Sequence, residues 1–280
     1  MRQIYPPPAG AAEPDLAELY AYPDLSGRAG KAWVRANMVA SADGAATLEG
    51  RSGGLSGPAD RHVFAALRGL ADVILAGAGT ARAERYGPAE PGGDGWSGDG
   101  WARLRAGRPL TTPIAVVTRR LDLDLDGPLL AAAPPGARTI VVTTQAAPAD
   151  RREAAARHAD LIVAGAGHVD LAAAVRALAE RGYPRILCEG GPRLLAQLAG
   201  RGLLDEYCLT VSPLLAGGGA GRVVDAAGGH AVGNAGHALA GAGASGAAAD
   251  SSLGRMTLCH VLEDDGFLLC RYVSGPAAAP

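Results

Sequence analysis

The stretch 185-RILCEGGPRLLAQLAGRGLLDEY-207 runs from an apolar strand through Glu189-Gly190-Gly191-Pro192 into a short helix. A plain strand-to-helix joint needs neither a carboxylate nor two glycines. Helix N-termini expose unpaired N–H groups and a partial positive charge, so they attract anions. Gly190 and Gly191 strip Cβ atoms from the corner, and Pro192 starts the helix without wasting a donor. In its physics this is a diphosphate cradle, with Gly190, Gly191, Pro192, Arg193, Leu194 and Leu195 as its contacts. Glu189 needs a further reason, because a carboxylate ending a buried strand is costly without a partner.

Outward from this corner, strands and helices alternate. Strands are expected over 32–41, 72–77, 112–118, 138–144, 159–165 and 205–215, that at 72–77 covered on both faces and those at 112–118, 138–144 and 159–165 buried like it. Pro58 opens a helix whose Val63, Phe64, Leu67 and Leu70 recur at helical spacing, and Asp170 caps another that Gly182 closes. The alternation predicts an α/β chain: three αβα layers around a mostly parallel mixed sheet. A C-terminal antiparallel hairpin over 255–273 turns at Asp265-Gly266. Residues 1–30, rich in Pro, Ala and Gly, read as an irregular arm, and 31–275 as a single domain. The segment 87–109, centred on PGGDGWSGDGW, reads as a loop, either a flap or surface padding. Residues 216–254 read as a low-complexity Gly/Ala-rich loop.

The chain of 280 residues is 48% hydrophobic and 19% charged, with a formal net charge of −2. That balance offers no basic stripe for a nucleic-acid backbone. Cys188, Cys208, Cys259 and Cys270 form no CxxC pair and sit in apolar runs, as buried free thiols of a reducing cytoplasm do. No export signal or membrane-length apolar run is visible. The histidines make no HxxxH, HExxH or Cys/His cluster, so no metal site is expected. G-x-S-x-G and G-K-[ST] signatures are missing too, which removes the corresponding hydrolase and P-loop readings.

Two further segments carry chemistry. After its strand, 75-LAGAGTARAER-85 offers Gly77 and Gly79 close to a turn and Thr80 as a hydroxyl for a phosphate, but Arg82 replaces the third glycine of a dinucleotide fingerprint. The next strand ends in Thr118-Arg119-Arg120 where an NAD site would place an acid. A hydroxyl beside a guanidinium suits a 2′-phosphate, which favours NADPH and disfavours a methyltransferase. In 37-NMVASADG-44, Ser41 and Asp43 flank a turn at a strand end, where ligands of open α/β sheets gather.

Three blocks, NMVASADGAAT (37–47), ADVILAGAGTARAE (71–84) and CEGGPRLLAQLAGRGLLDEYCLTVSPLLAGGG (188–219), resemble the reductase domains of bacterial riboflavin biosynthesis, the RibD C-terminal domain family. The resemblance implies a dihydrofolate-reductase-like fold, a homodimer, and hydride transfer from NADPH to C1′ of a pyrimidine ribosylamine phosphate. Position by position it implies NADPH contacts at Thr80, Glu84, Thr118 and the Gly191–Gln197 turn. It implies substrate contacts at Ser52, Arg68 and Glu189, with Asn37, Ser41 and Tyr86 as further substrate-binding candidates and Asp43 in the first block beside the nicotinamide. Asp43 and Glu189 are the expected catalytic carboxylates; a pKa raised by burial would let one of them, or Glu84, supply the proton, with water as the alternative source. Bifunctional relatives carry an N-terminal zinc deaminase; 1–30 leave no room for one, so a stand-alone reductase is expected. The family's Asp-Pro after the acid is replaced by Arg85-Tyr86, and an aromatic near the substrate admits a flat pterin as the rival ligand. A nucleotide-binding protein without catalysis is the other rival.

Overall fold

The computed structural model describes residues 1–8, 10, 13–26, 30–93, 95–225 and 254–275. Its strands are β1 (Arg2–Tyr5), β2 (Trp33–Ser41), β3 (Val73–Gly77), β4 (Ile114–Val117), β5 (Ile140–Thr143), β6 (Asp160–Val163), β7 (Arg185–Cys188), β8 (Glu206–Ser212), β9 (Met256–Asp264) and β10 (Phe267–Ser274). They form a single ten-stranded sheet in the order β1-β9-β10-β8-β2-β7-β3-β4-β5-β6. From β8 to β6 every neighbour is parallel; β10, β9 and β1 add antiparallel partners on the other side. The helices are α1 (Leu16–Leu19), α2 (Pro58–Leu70), α3 (Ala78–Ala83), α4 (Gly98–Arg105), α5 (Pro128–Ala131), α6 (Ala149–His158), α7 (Leu171–Glu180) and α8 (Pro192–Gly200).

Two apolar cores, one on each face of the sheet, make the three layers. On one face Val63 and Leu67 of α2, Trp101 and Leu104 of α4 and Ala155 of α6 pack on Ile74, Val116, Val141 and Leu187. On the other, Leu171, Val175 and Leu178 of α7 and Leu194, Leu195 and Leu198 of α8 cover Val73, Leu75, Val142 and Ile186. Successive strand residues serve opposite cores, as the two-residue pleat requires, and central strands are therefore apolar throughout. The expected mixed sheet with its terminal hairpin is present.

Several local readings change. The N-terminal segment is not wholly irregular: β1 pairs with β9, and Asp15 caps α1 through the amide of Ala17. Residues 98–105 within the expected loop are helical, because Trp101 is an anchor rather than a flap residue. It is buried against α2, and its indole Nε1 donates to Leu110 O. The strand at 159–165 is an edge, with Val163 44% exposed, instead of a buried strand. Most of the predicted 216–254 loop lies outside the described residues; 216–225 cross the C-terminal end of β2, where Ala46 N donates to Gly221 O.

A charged cluster inside the sheet was not foreseen. Arg35 on β2 and Glu206 on β8 are register partners, both fully buried, joined at 2.7 Å. Arg271 on β10 binds the same carboxylate. The two guanidiniums also donate to Leu19 O and Tyr20 O, which fastens the N-terminal segment across the sheet. Glu206 is held below its ordinary pKa: burial opposes the charge, but the two arginines outweigh it.

Candidate active site

The C-terminal ends of β2, β7 and β3 lie side by side because the chain passes from β2 to β3 and only later inserts β7 between them. Ligands of open α/β sheets collect at such crossings. A cleft of about 360 Å³ opens here, with Asn37, Met38 and Val39 of β2 as one wall and Asp60, Phe64 and Arg68 of α2 as another. Ser52, Gly53 and Ser56 form its rim, and Thr80, Glu84, Tyr86 and Glu189 close the remaining side.

Glu189 is the most constrained group in it. Its Oε1 accepts from Arg68 Nε at 2.7 Å, and its Oε2 from Arg68 Nη2 at 2.8 Å and from the Tyr86 hydroxyl at 2.6 Å. The cost of a carboxylate at a buried strand end is thus met by a two-pronged ion pair. Arg68 lies over the Phe64 ring at 4.3 Å, and burial together with Glu189 governs its neighbours: burial first, then the Glu189 charge, raises the Tyr86 phenol well above its ordinary pKa. Glu84, at the end of α3, accepts from both the amide and the hydroxyl of Ser52 at 3.0 Å, so it props the cleft rim.

The glycine corner joins two elements. Gly77, which precedes α3, donates its N–H to Gly190 O at 2.8 Å. Gly190 adopts φ of 85°, a left-handed conformation that glycine tolerates. A Cβ on Gly191 would collide with Thr80 Oγ1, so any larger residue here must displace that hydroxyl. The amides of Leu194 and Leu195 both bond Gly191 O, and their side chains belong to the core. Gly191 and Arg193 keep amides without an internal acceptor among the described residues, at the start of the nine-residue α8. Exposed Gly79 sits on α3, while Pro192 is the first residue of α8. These groups fit a dinucleotide diphosphate, since donors and removed Cβ atoms lie together. At the end of β4, Thr118 is buried and Arg119 is exposed.

Asp43 and Ser41 do not line the cleft. Asp43 accepts from Ser41 Oγ at 2.5 Å and from the amides of Ala216 and Gly217, a staple that ties the loop after β8 to the turn after β2. Those bonds, the Ser41 one foremost, lower its pKa to about 2, the opposite of the expected rise. Desolvation in this exposed turn acts to raise it but is outweighed by the hydrogen bonds. Sequence reading in turn missed Asp60 and placed Phe64 in the core. Asp60, Phe64 and Arg68 are spaced four apart on α2, the one signal that they share a face.

Residues 32–237 match the RibD C-terminal domain family. The chain belongs to that family. A 2,5-diamino-6-ribosylamino-4(3H)-pyrimidinone 5′-phosphate reductase of Archaeoglobus fulgidus is 28% identical over 188 residues, 66% of this chain and 82% of the relative. A pyrimidine reductase-like protein of Corynebacterium diphtheriae superposes with a TM-score of 0.69 at 25% identity, covering 94% of this chain and 99% of that one. RibD of Acinetobacter baumannii shares the fold, with a TM-score of 0.64 at 19% identity over 88% of this chain and 58% of its own length. The family match spans the cleft and the glycine corner alike.

Proposed function

We propose that this RibD-family chain reduces a 5-amino-6-(5-phosphoribosylamino)uracil-type substrate with NADPH, in riboflavin biosynthesis. The observation that carries the reading is the adjacency of two fitted sites: an anion-ready glycine corner and a cleft holding Arg68, Glu189 and Ser52. The diphosphate of NADPH lies on the amides of Gly191 and Arg193, beside Thr80, Gly77 and Gly79. Thr118 and Arg119 meet its 2′-phosphate. When bound, NADPH supplies the hydride that C1′ accepts.

In the substrate, the ribosylamine ring opens as its ring oxygen takes a proton and the exocyclic nitrogen forms a C1′=N bond. Hydride addition then gives the ribitylamine, with one proton consumed overall. Glu189 faces this cation as an acceptor, since both its oxygens already accept hydrogen bonds. It orients the substrate and offsets the positive charge, and the proton comes from water. Ser52, Arg68 and Asn37 bind the remaining polar groups, and Tyr86 borders the ring.

Assays of NADPH oxidation with pyrimidine ribosylamine phosphates and with dihydrofolate test this reading. The pyrimidine is expected to be the better substrate, and NADPH to exceed NADH by at least about tenfold. A clear preference for dihydrofolate overturns the substrate assignment, and NADPH binding without turnover overturns catalysis. The reading also includes a cytoplasmic homodimer. The sheet face carrying Leu209, Val211 and Leu268 presents apolar side chains beyond the reach of α7 and α8, and Leu268→Lys is expected to yield monomers by light scattering.

A further inference from the structure

A carboxylate has about four lone-pair sites, two on each oxygen. In Glu189 three are taken: one on Oε1 by Arg68 Nε, and two on Oε2 by Arg68 Nη2 and Tyr86 OH. Among the described residues the second site on Oε1 has no donor. From this geometry we infer that Tyr86 is a positioning residue for Glu189: it saturates Oε2 and thereby leaves Oε1 as the single acceptor turned to the substrate.

Arg68 alone would not achieve this. A two-pronged guanidinium fixes the plane of a carboxylate but leaves one lone pair open on each oxygen, so a donor on the substrate could settle at either. The phenol removes that ambiguity. Its ring is also constrained, lying against Arg68 at 5.7 Å and lining the same cleft. The substrate group selected is a donor, an N–H or O–H beside the reacting carbon, and a substrate offering only an acceptor there is rejected. Fixing one acceptor matters for rate because small misplacements near the reacting atom are costly. Tyr86 follows Arg85, which has φ of 53°; this left-handed residue turns the chain after α3.

The role assigned to Tyr86 rests on the proposed reductase activity, and its test separates the two. Tyr86→Phe keeps the ring and deletes the hydroxyl. It is expected to lower kcat about tenfold with unchanged NADPH affinity and a thermal midpoint lowered by only a few degrees. In a Glu189→Gln background the same change is expected to have no further effect, because Tyr86 acts through Glu189. Multiplicative losses in the double variant, or wild-type kcat and KM in Tyr86→Phe, overturn the assignment. Should the native enzyme reduce no pyrimidine ribosylamine phosphate, the functional reading fails by itself. Crystal structures then decide the positioning role: a Glu189 carboxylate reoriented in Tyr86→Phe supports it, and an unmoved one overturns it.

Discussion

Arg68 on α2 closes on Glu189 at the end of β7, 121 positions away in sequence, with Nε on one carboxylate oxygen and Nη2 on the other. The pair does two jobs that mutation can separate. It bridges a helix to the strand beneath it, and it prepares an acceptor in the cleft. Arg68→Met leaves the Glu189 side chain, only 2% exposed, without its counter-charge. Loss of about 3 kcal/mol of stability is expected in a denaturant titration, because an uncompensated buried charge remains. Adding Glu189→Leu to Arg68→Met restores most of that stability, since both charges are then gone. Activity is not restored in the double variant. Recovery of turnover there would show that the pair serves the fold alone.

At the glycine corner the relevant neighbour is Thr80. Gly191→Asp places a negative charge among the free amides and is expected to abolish NADPH binding in a fluorescence titration. Gly191→Ala is milder, because the added methyl presses on Thr80 Oγ1. It is expected to weaken NADPH about tenfold, and Thr80→Ala in that background to regain part of the loss. Unchanged affinity in Gly191→Asp would place the diphosphate elsewhere.

How much of this the sequence disclosed follows from the range of the interactions involved. The strand–corner–helix unit around Gly190 was legible because its cause is local: glycine, proline and an apolar period lie within ten or so residues. The wall contributed by α2 was half legible, since Arg68 could be named but its partner could not. That bond joins residues whose proximity depends on β7 inserting beside β2, a choice that periodicity does not encode. Asp43 misled for the complementary reason. Its carboxylate is absorbed by the amides of Ala216 and Gly217, whose own stretch had been set aside as featureless loop. The register partnership of Arg35 with Glu206 was equally hidden, although each lies in a strand correctly located.

The sheet cluster gives a pH prediction that does not depend on function. His260 on β9 is 3% exposed, lies edge-on to Tyr20 at 4.8 Å, and has no hydrogen-bond partner for Nε2 among the described residues. Arg271, Arg35 and Glu206 face it from β10, β2 and β8. Burial pushes its pKa down to about 4; Arg271 and Arg35 add to that, and Glu206 opposes it. The unfolded chain, with an ordinary histidine near 6.5, therefore binds a proton that the folded chain refuses. The stability associated with neutral His260 is complete above about pH 6.5 and is lost progressively as pH falls toward 4. Glu206 does not blur the interval from pH 7 to pH 5, because the stability tied to its lowered pKa is lost only as pH falls below its ordinary value of 4.5. Between pH 7 and pH 5 a loss of roughly 2 kcal/mol is expected from denaturant titrations of the native chain. His260→Phe keeps a flat ring against Tyr20 and cannot be protonated, so its stability is expected to stay level over the same interval. Parallel decline of both proteins would assign the acid sensitivity to other groups.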